Sequence, residues 1–381
     1  MQDNRKRIGR NAPCWCRSGK KYKFCHWNRA NQPRPRISDA IRKFKNVRER
    51  RTCLAQNITS TRCSGAIVQA HTVQRVFLQR IARSGQVYGF PKDLGAIVAS
   101  SGIPEPRLLG VSQASCFTGF CSLHDSELFR PIELNEPKPT EEHAGLLAFR
   151  AFCYEFFAKQ GAVLLKSHWH TLDAGLPMEL QYAMQREVND AQLGFGTALK
   201  EMEETMKAFE QMLVNREFSL MEYFVVKFDR TPDVLCCGCT NPDWDFHARQ
   251  LQDLSDLRRP LETLYVHLLP SDTGGFAFFC WLGTHASACR SLLRSLVRLG
   301  RAKVSNAVVR LLFGSFVNMY FRPDWWEHLS PELRSSLLDR FRVAIHPLVP
   351  IPSDYLTDDR VCAVEWRVSG YITNVPELQN A

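Results

Sequence analysis

The chain has 381 residues, enough for about two or three domains. With 45% apolar and 23% charged residues its composition is globular, which excludes a fibrous or wholly disordered protein. The formal charge of +10 is uneven: residues 1–51 hold 17 Lys and Arg against Asp3, Asp39 and Glu49, a net +14, while the other 330 residues sum to −4. A dense cationic arm on a near-neutral body predicts attraction to nucleic acid or another polyanion through counterion release; the competing reading is a solvated basic face. The longest apolar run, Phe276 to Leu282, falls far short of the roughly 18–20 residues of a membrane span. The basic N-terminus has no apolar core of the kind a secretory signal carries. A cytoplasmic, reducing compartment is therefore expected, where 14 cysteines read as metal ligands or small buried side chains and not as disulfides.

The strongest pattern lies in residues 1–30. Cys14 and Cys16 sit one residue apart, and Cys25-His26 follows after a short loop containing Ser18-Gly19. Four such ligands joined by a turn suit tetrahedral Zn²⁺, and with all four positions taken by protein the site is structural. A segment this short cannot bury a self-sufficient core, so metal binding must supply its order. Gly9, Arg10, Asn11, Pro13, Cys14, Cys16, Ser18, Gly19, Lys20, Lys21, Tyr22, Lys23, Cys25 and His26 together resemble the SEC-C motif, known from the carboxyl tail of the SecA preprotein translocase, over residues 8–27. The resemblance implies one zinc ion on Cys14, Cys16, Cys25 and His26. It also implies a docking role toward a protein partner such as a chaperone or a translation component. Trp15, Arg17 and Phe24 are bulkier than the motif usually carries, and here it stands near the amino end.

Residues 31–51 read as a basic linker and short helix. Pro33 and Pro35 alternate with Arg34 and Arg36 in an extended spacer. A helix is expected over Ser38 to Arg51, capped by Ser38, with Ile41, Phe44 and Val47 as a narrow apolar stripe.

Residues 52–135 hold a second ligand set. Cys53 and Cys63 are separated by nine residues, Ile67 and Val68 just before His71 suit a short hydrophobic strand, and Cys121-x-x-His124 opens a short helix that Pro131 should halt. This is a treble-clef ligand pattern, with buried free cysteines as the alternative. The order resembles that of HNH nucleases. By that resemblance Cys53, Cys63, Cys121 and His124 would hold a structural zinc, His71 would be the general base, and Asp125 would be a ligand to a catalytic Mg²⁺ or Mn²⁺. The sequence departs from that pattern in the wide Cys53–Cys63 spacing, in Asp125 where histidine is usual, and in having no asparagine between Asn57 and Asn135. His71 also fits a packed, hydrogen-bonded histidine. The Gly- and Pro-rich stretch 86–115 reads as an excursion inserted between ligands.

A boundary is expected at Asn135–Thr140, with residues 140–381 forming a helical hairpin followed by a mixed α+β domain. Phe149, Phe152, Cys153, Phe156 and Phe157 follow a helical stripe. A second helix over Met178–Asn215 carries a seam of Leu199, Met202, Met206, Phe209 and Leu213, with a break expected near Gly194 and Gly196. Strands are expected over 223–228, 234–237, 264–268 and 276–281, the last two joined by a turn at 271–275. Cys236, Cys237 and Cys239 read as buried side chains in preference to a third metal site. The C-terminal part reads as helical, with Ser330 capping a helix that starts at Pro331. The expected class is α+β, with two small zinc-organised elements ahead of a larger mixed domain. The expected function is a zinc-binding protein whose basic module docks on nucleic acid or a protein partner. The alternatives are an HNH-like metal-dependent nuclease and a non-enzymatic adaptor.

Overall fold

The computed structural model describes residues 8–58, 63–99, 104–133, 136–256, 258–284, 286–345 and 351–379. Residues 1–7 of the basic arm and Asn135 of the expected boundary lie outside this set. The fold is α+β. In chain order its elements are α1 (Ile37–Arg48), β1 (Ile67–His71), α2 (Arg75–Ile81), β2 (Gln86–Gly89), α3 (Leu94–Ala99), β3 (Arg107–Gly110), β4 (Cys116–Cys121), α4 (Ser122–Leu128), α5 (Arg130–Glu133) and α6 (Glu141–Leu164). There follow α7 (Lys166–Trp169), α8 (Met178–Asn215), β5 (Met221–Phe228), β6 (Val234–Thr240), β7 (Leu264–Ser271) and β8 (Gly274–Leu282). The chain ends with α9 (Ser287–Arg298), α10 (Arg301–Ser315), β9 (Met319–Phe321), α11 (Pro323–His328), α12 (Pro331–Ile345), β10 (Val368–Thr373) and α13 (Pro376–Gln379). No helix among the described residues is long and apolar enough to cross a membrane.

The chain divides into two compact units, one of residues 1–49 with 158–202, the other of residues 50–157 with 203–381. In the first, α1 is capped differently from the expectation. Arg36 occupies the N-cap without a side-chain hydrogen bond, and Ser38 lies inside the first turn. The stripe of α1 is half-buried, and Phe44 meets the edge of Trp169 at 5.3 Å between ring centroids.

The second unit is built on an eight-stranded antiparallel sheet of order β10-β5-β8-β7-β6-β9-β2-β3. Its central strands are apolar runs because both faces are covered. One face, with Phe224, Val226, Val266, Leu268, Phe279 and Trp281, packs with buried residues of α9, α10 and α12. On the other, Tyr265 meets Phe152 of α6 and Phe209 of α8 edge-on, and His267 Nε2 lies 2.8 Å from the carbonyl of Leu147. Residues 146–153 of α6 are buried on every side of the helix, as expected for an element between a sheet and further helices. α8 runs through Gly194 and Gly196 without the expected break. Ser330 does cap α12, its hydroxyl accepting from the Leu333 amide at 3.2 Å.

The excursion at 86–115 is not a plain loop. It supplies β2 and β3, and β2 pairs with β9 through Tyr88↔Phe321 and Gly89↔Tyr320. The C-terminal part is not wholly helical either, since β10 forms an edge of the sheet against β5. A separate two-stranded sheet joins β1 to β4, with His71 opposite Cys116 and a register shift between Val68 and Ala70. α4 follows β4 directly and α5 begins two residues after it, so Pro131 sits inside a new short helix and does not itself end α4.

Candidate metal centres

The first cluster stands on a knuckle closed by main-chain bonds. Cys14 N donates to Lys20 O at 2.8 Å, Tyr22 N to Ala12 O at 2.8 Å, and Lys23 N to Arg10 O at 2.9 Å. Gly19 turns the chain at φ +74°, a region that favours glycine. The ligand atoms of Cys14, Cys16, Cys25 and His26 all lie within 4.8 Å of one another. His26 Nδ1 is 3.2 Å from Cys14 Sγ and from Cys25 Sγ, and Cys16 Sγ is 3.5 Å from Cys25 Sγ. Tetrahedral zinc, with Zn–S of about 2.3 Å and Zn–N of about 2.0 Å, needs close approaches of this order. Three thiols crowded on one imidazole nitrogen are poor company without a cation, and four protein ligands leave no open position. The donor set therefore fits a structural zinc.

Sequence reasoning missed what stands behind His26. Its Nε2 lies 2.8 Å from Asp173 Oδ2, and both side chains are fully buried. Arg29 Nε donates to Asp173 Oδ1 at 2.8 Å, and Gln185 Nε2 donates to Oδ2 at 2.7 Å. Burial alone would raise the Asp173 carboxyl, but these donors hold it below the usual carboxylate range. Burial alone would lower the imidazole, but the hydrogen bond to Asp173 overrides it and raises His26 to about 9. A carboxylate on the far nitrogen fixes which ring nitrogen faces a metal and strengthens it as a donor. The bulky Trp15 is also accounted for: its ring lies 4.4 Å from His26 and is stacked at 4.9 Å on Tyr182. Asn189 Nδ2 donates to the carbonyl of Cys16 at 3.1 Å. Of the departures from the SEC-C pattern, Phe24 is exposed, and nothing in the structure explains its size.

The second cluster gathers Cys53, Cys63, Cys121 and His124, again with ligand atoms within 4.8 Å of one another. The segment bearing Cys53 is tied to β4 by Leu54 N donating to Gly119 O at 2.9 Å. Cys121 ends β4 and is also the N-cap of α4, its sulfur accepting from the His124 amide at 3.5 Å. Burial raises this thiol, but hydrogen bonds from Ser64 and the His124 amide outweigh it and bring Cys121 down to about 6. Burial dominates at Cys53, which is pushed up to about 12. Cys53 Sγ is 3.1 Å from His124 Nδ1. Two cysteines before a strand pair and a Cys-x-x-His at the following helix start thus meet at one point, and this donor set also fits zinc.

His71 and Asp125 belong to the same β1–β4–α4 element but to neither cluster. His71 Nε2 is 3.3 Å from the carbonyl of Val111 and 3.4 Å from Cys116 Sγ. Burial lowers the His71 ring below its ordinary value, and Arg150 and Arg75 add to this. Burial pushes the Asp125 carboxyl up to about 6, with Arg150 opposing and Glu133 reinforcing the shift. Arg150 itself is buried, paired with Glu133 and laid over the ring of Phe129. Among the described residues no third group of metal-ligating side chains occurs. Cys236 and Cys237 are buried in β6, and burial pushes Cys236 up to about 12.

The family model of the SEC-C motif matches residues 10–28. No curated protein and no solved structure matches the chain. The motif, with a ligand cluster of the right composition folded inside it and a second Cys₃His cluster on β4 and α4, supports a zinc-binding protein.

Proposed function

We propose that the protein acts on nucleic acid, with the basic zinc knuckle docking on phosphates and the β1–β4–α4 element carrying an HNH-like hydrolytic site. Docking is supported by charge. Residues 8–38 contain no acid, and Arg10, Arg17, Lys20, Lys21, Lys23, Arg34 and Arg36 are all exposed or nearly so. Phosphate contacts need no more than such a surface.

The hydrolytic reading rests on one observation, the Val111 carbonyl 3.3 Å from His71 Nε2. With Nε2–H donating to that oxygen, Nδ1 keeps its lone pair. The burial that lowers this ring keeps it neutral near pH 7, as a base that takes a proton from water must be. Asp125 would hold a Mg²⁺ or Mn²⁺ ion, which when bound supplies positive charge to the scissile phosphate. Arg150 and Glu133 act on both His71 and Asp125, in keeping with a shared neighbourhood. The zinc on Cys53, Cys63, Cys121 and His124 would have the separate task of holding β4 and α4 in place.

The full chain incubated with plasmid DNA or RNA and Mg²⁺ or Mn²⁺ should cut. His71→Ala should lose at least a hundredfold of that rate while retaining binding. Absence of cutting with either metal would remove the hydrolytic reading and leave the binding one. A second reading, docking on a protein partner, is favoured by the exposure of Phe24 and Trp27 on the knuckle, at 72% and 49%.

A further inference from the structure

The His71 imidazole has two ways to carry its proton, and the turn that precedes β4 decides between them. Nε2 lies 3.3 Å from the Val111 carbonyl and 3.4 Å from Cys116 Sγ. The carbonyl can only accept, so it selects Nε2–H. The thiol can also donate, and would then select a bare Nε2 with the proton on Nδ1. A small retreat of the Val111 carbonyl would hand the choice to the thiol.

That turn is held in place from the large sheet. The amides of Gln113 and Ala114 both donate to Gly110 O at 2.9 Å, and the turn closes on Ser115, a buried residue at φ +62°. Few side chains adopt this conformation, and it persists where the surroundings over-determine it. Here Ser115 O accepts from Thr72 N at 3.0 Å and from Thr72 Oγ1 at 3.1 Å, while Ser115 Oγ donates to Val73 O at 2.7 Å. Behind Thr72 stands Asn318, the residue before β9. Its Nδ2 donates to Thr72 Oγ1 at 2.8 Å and to Cys237 O at 2.7 Å. Its Oδ1 accepts from Lys92 Nζ at 2.6 Å and from the Tyr320 hydroxyl at 2.9 Å. Both hydrogens and both lone pairs of this buried amide are therefore engaged, which fixes its orientation. The Thr72 hydroxyl, accepting from Asn318, is left to give its own hydrogen to Ser115.

We propose that Asn318, acting through Thr72 and Ser115, is a positioning residue for His71: it keeps the Val111 carbonyl against Nε2, so that the proton stays there and Nδ1 remains the acceptor. As a device for catalysis the arrangement rests on the hydrolytic reading, while the tautomer it sets does not.

Nuclear magnetic resonance of the full chain with labelled histidine reads the tautomer from the ring-nitrogen shifts, with His71 assigned by its loss in His71→Gln. The wild type should carry Nε2–H, a measurement that needs no folded variant. Thr72→Val keeps the shape and removes the hydroxyl. It should move about half or more of the His71 population to Nδ1–H while thermal melting stays cooperative. Asn318→Asp, which keeps Oδ1 and loses the donors, should do the same, and Thr72→Ser should restore the wild-type spectrum. With nucleic acid and Mg²⁺, Thr72→Val should lower kcat about tenfold or more at unchanged KM. A wild type with the proton on Nδ1, or a Thr72→Val chain whose His71 keeps the wild-type tautomer, overturns the proposal. A tautomer that responds as expected in a chain that cuts nothing removes the hydrolytic reading and leaves the positioning role standing.

Discussion

At the scale of single residues, Asp173 carries the most information. It is wholly buried, it accepts three hydrogen bonds, and one of them fixes the metal-facing nitrogen of His26. Asp173→Asn keeps the shape but removes the charge that strengthens the imidazole. Zinc affinity at the first cluster should fall about tenfold to a hundredfold, read by competition with a chromophoric chelator, while the second cluster is unchanged. A wild-type affinity in the variant would show that Asp173 packs the knuckle without tuning it. The four ligands were legible because they lie within thirteen positions of one another and a turn joins them. Asp173 was not legible, because no local pattern links a carboxylate to a histidine 147 residues earlier. Tyr182 behind Trp15 is hidden for the same reason.

At the scale of elements, β1, β4 and α4 depend on Cys121 in two ways, as a candidate metal ligand and as the cap of α4. Cys121→Ser preserves a capping oxygen and removes the soft donor. Elemental analysis should then find one zinc fewer per chain, and the thermal midpoint should drop by several degrees, since a structural zinc contributes folding energy outright. An unchanged zinc content would strike the second cluster from the account. Most of this element could be read from sequence: Ile67-Val68 announced the strand, and Cys121-x-x-His124 the helix start. The excursion between them could not. β2 owes its place to pairing with β9, a strand of three residues whose existence depends on the sheet around it. The expected break in α8 failed for a related reason. A glycine costs a helix about 1 kcal/mol, which the buried seam of Met206, Phe209 and Leu213 in the same helix outweighs.

At the scale of the whole molecule, the apolar runs of β5 to β8 reveal a central sheet from sequence alone, because strands covered on both faces need no alternation. The edges are harder to read. β10 is only half-buried and carries Ser369, Gly370 and Thr373, so its sequence resembles a loop. Charge is the other property at this scale. Replacing the exposed Lys20, Lys21 and Lys23 by glutamine should weaken nucleic-acid binding uniformly across sequences. It should also reduce the slope of log K against log salt by about 2 to 3, read from titrations at several salt concentrations. A slope unmoved by the triple change would take the knuckle out of the binding surface.

The second cluster has a consequence for the edge of the large sheet. Between Cys63 and Cys121 the chain makes a detour that lays β2 alongside β9 and β3 alongside β2 before it returns. An ion gripping both cysteines would fasten the two ends of that detour, so the unfolded polypeptide would forfeit the wandering of the entire stretch. Such a fastening steadies strands it never touches, and chelation should loosen amide protection at β2 and β3 as well as beside the thiolates.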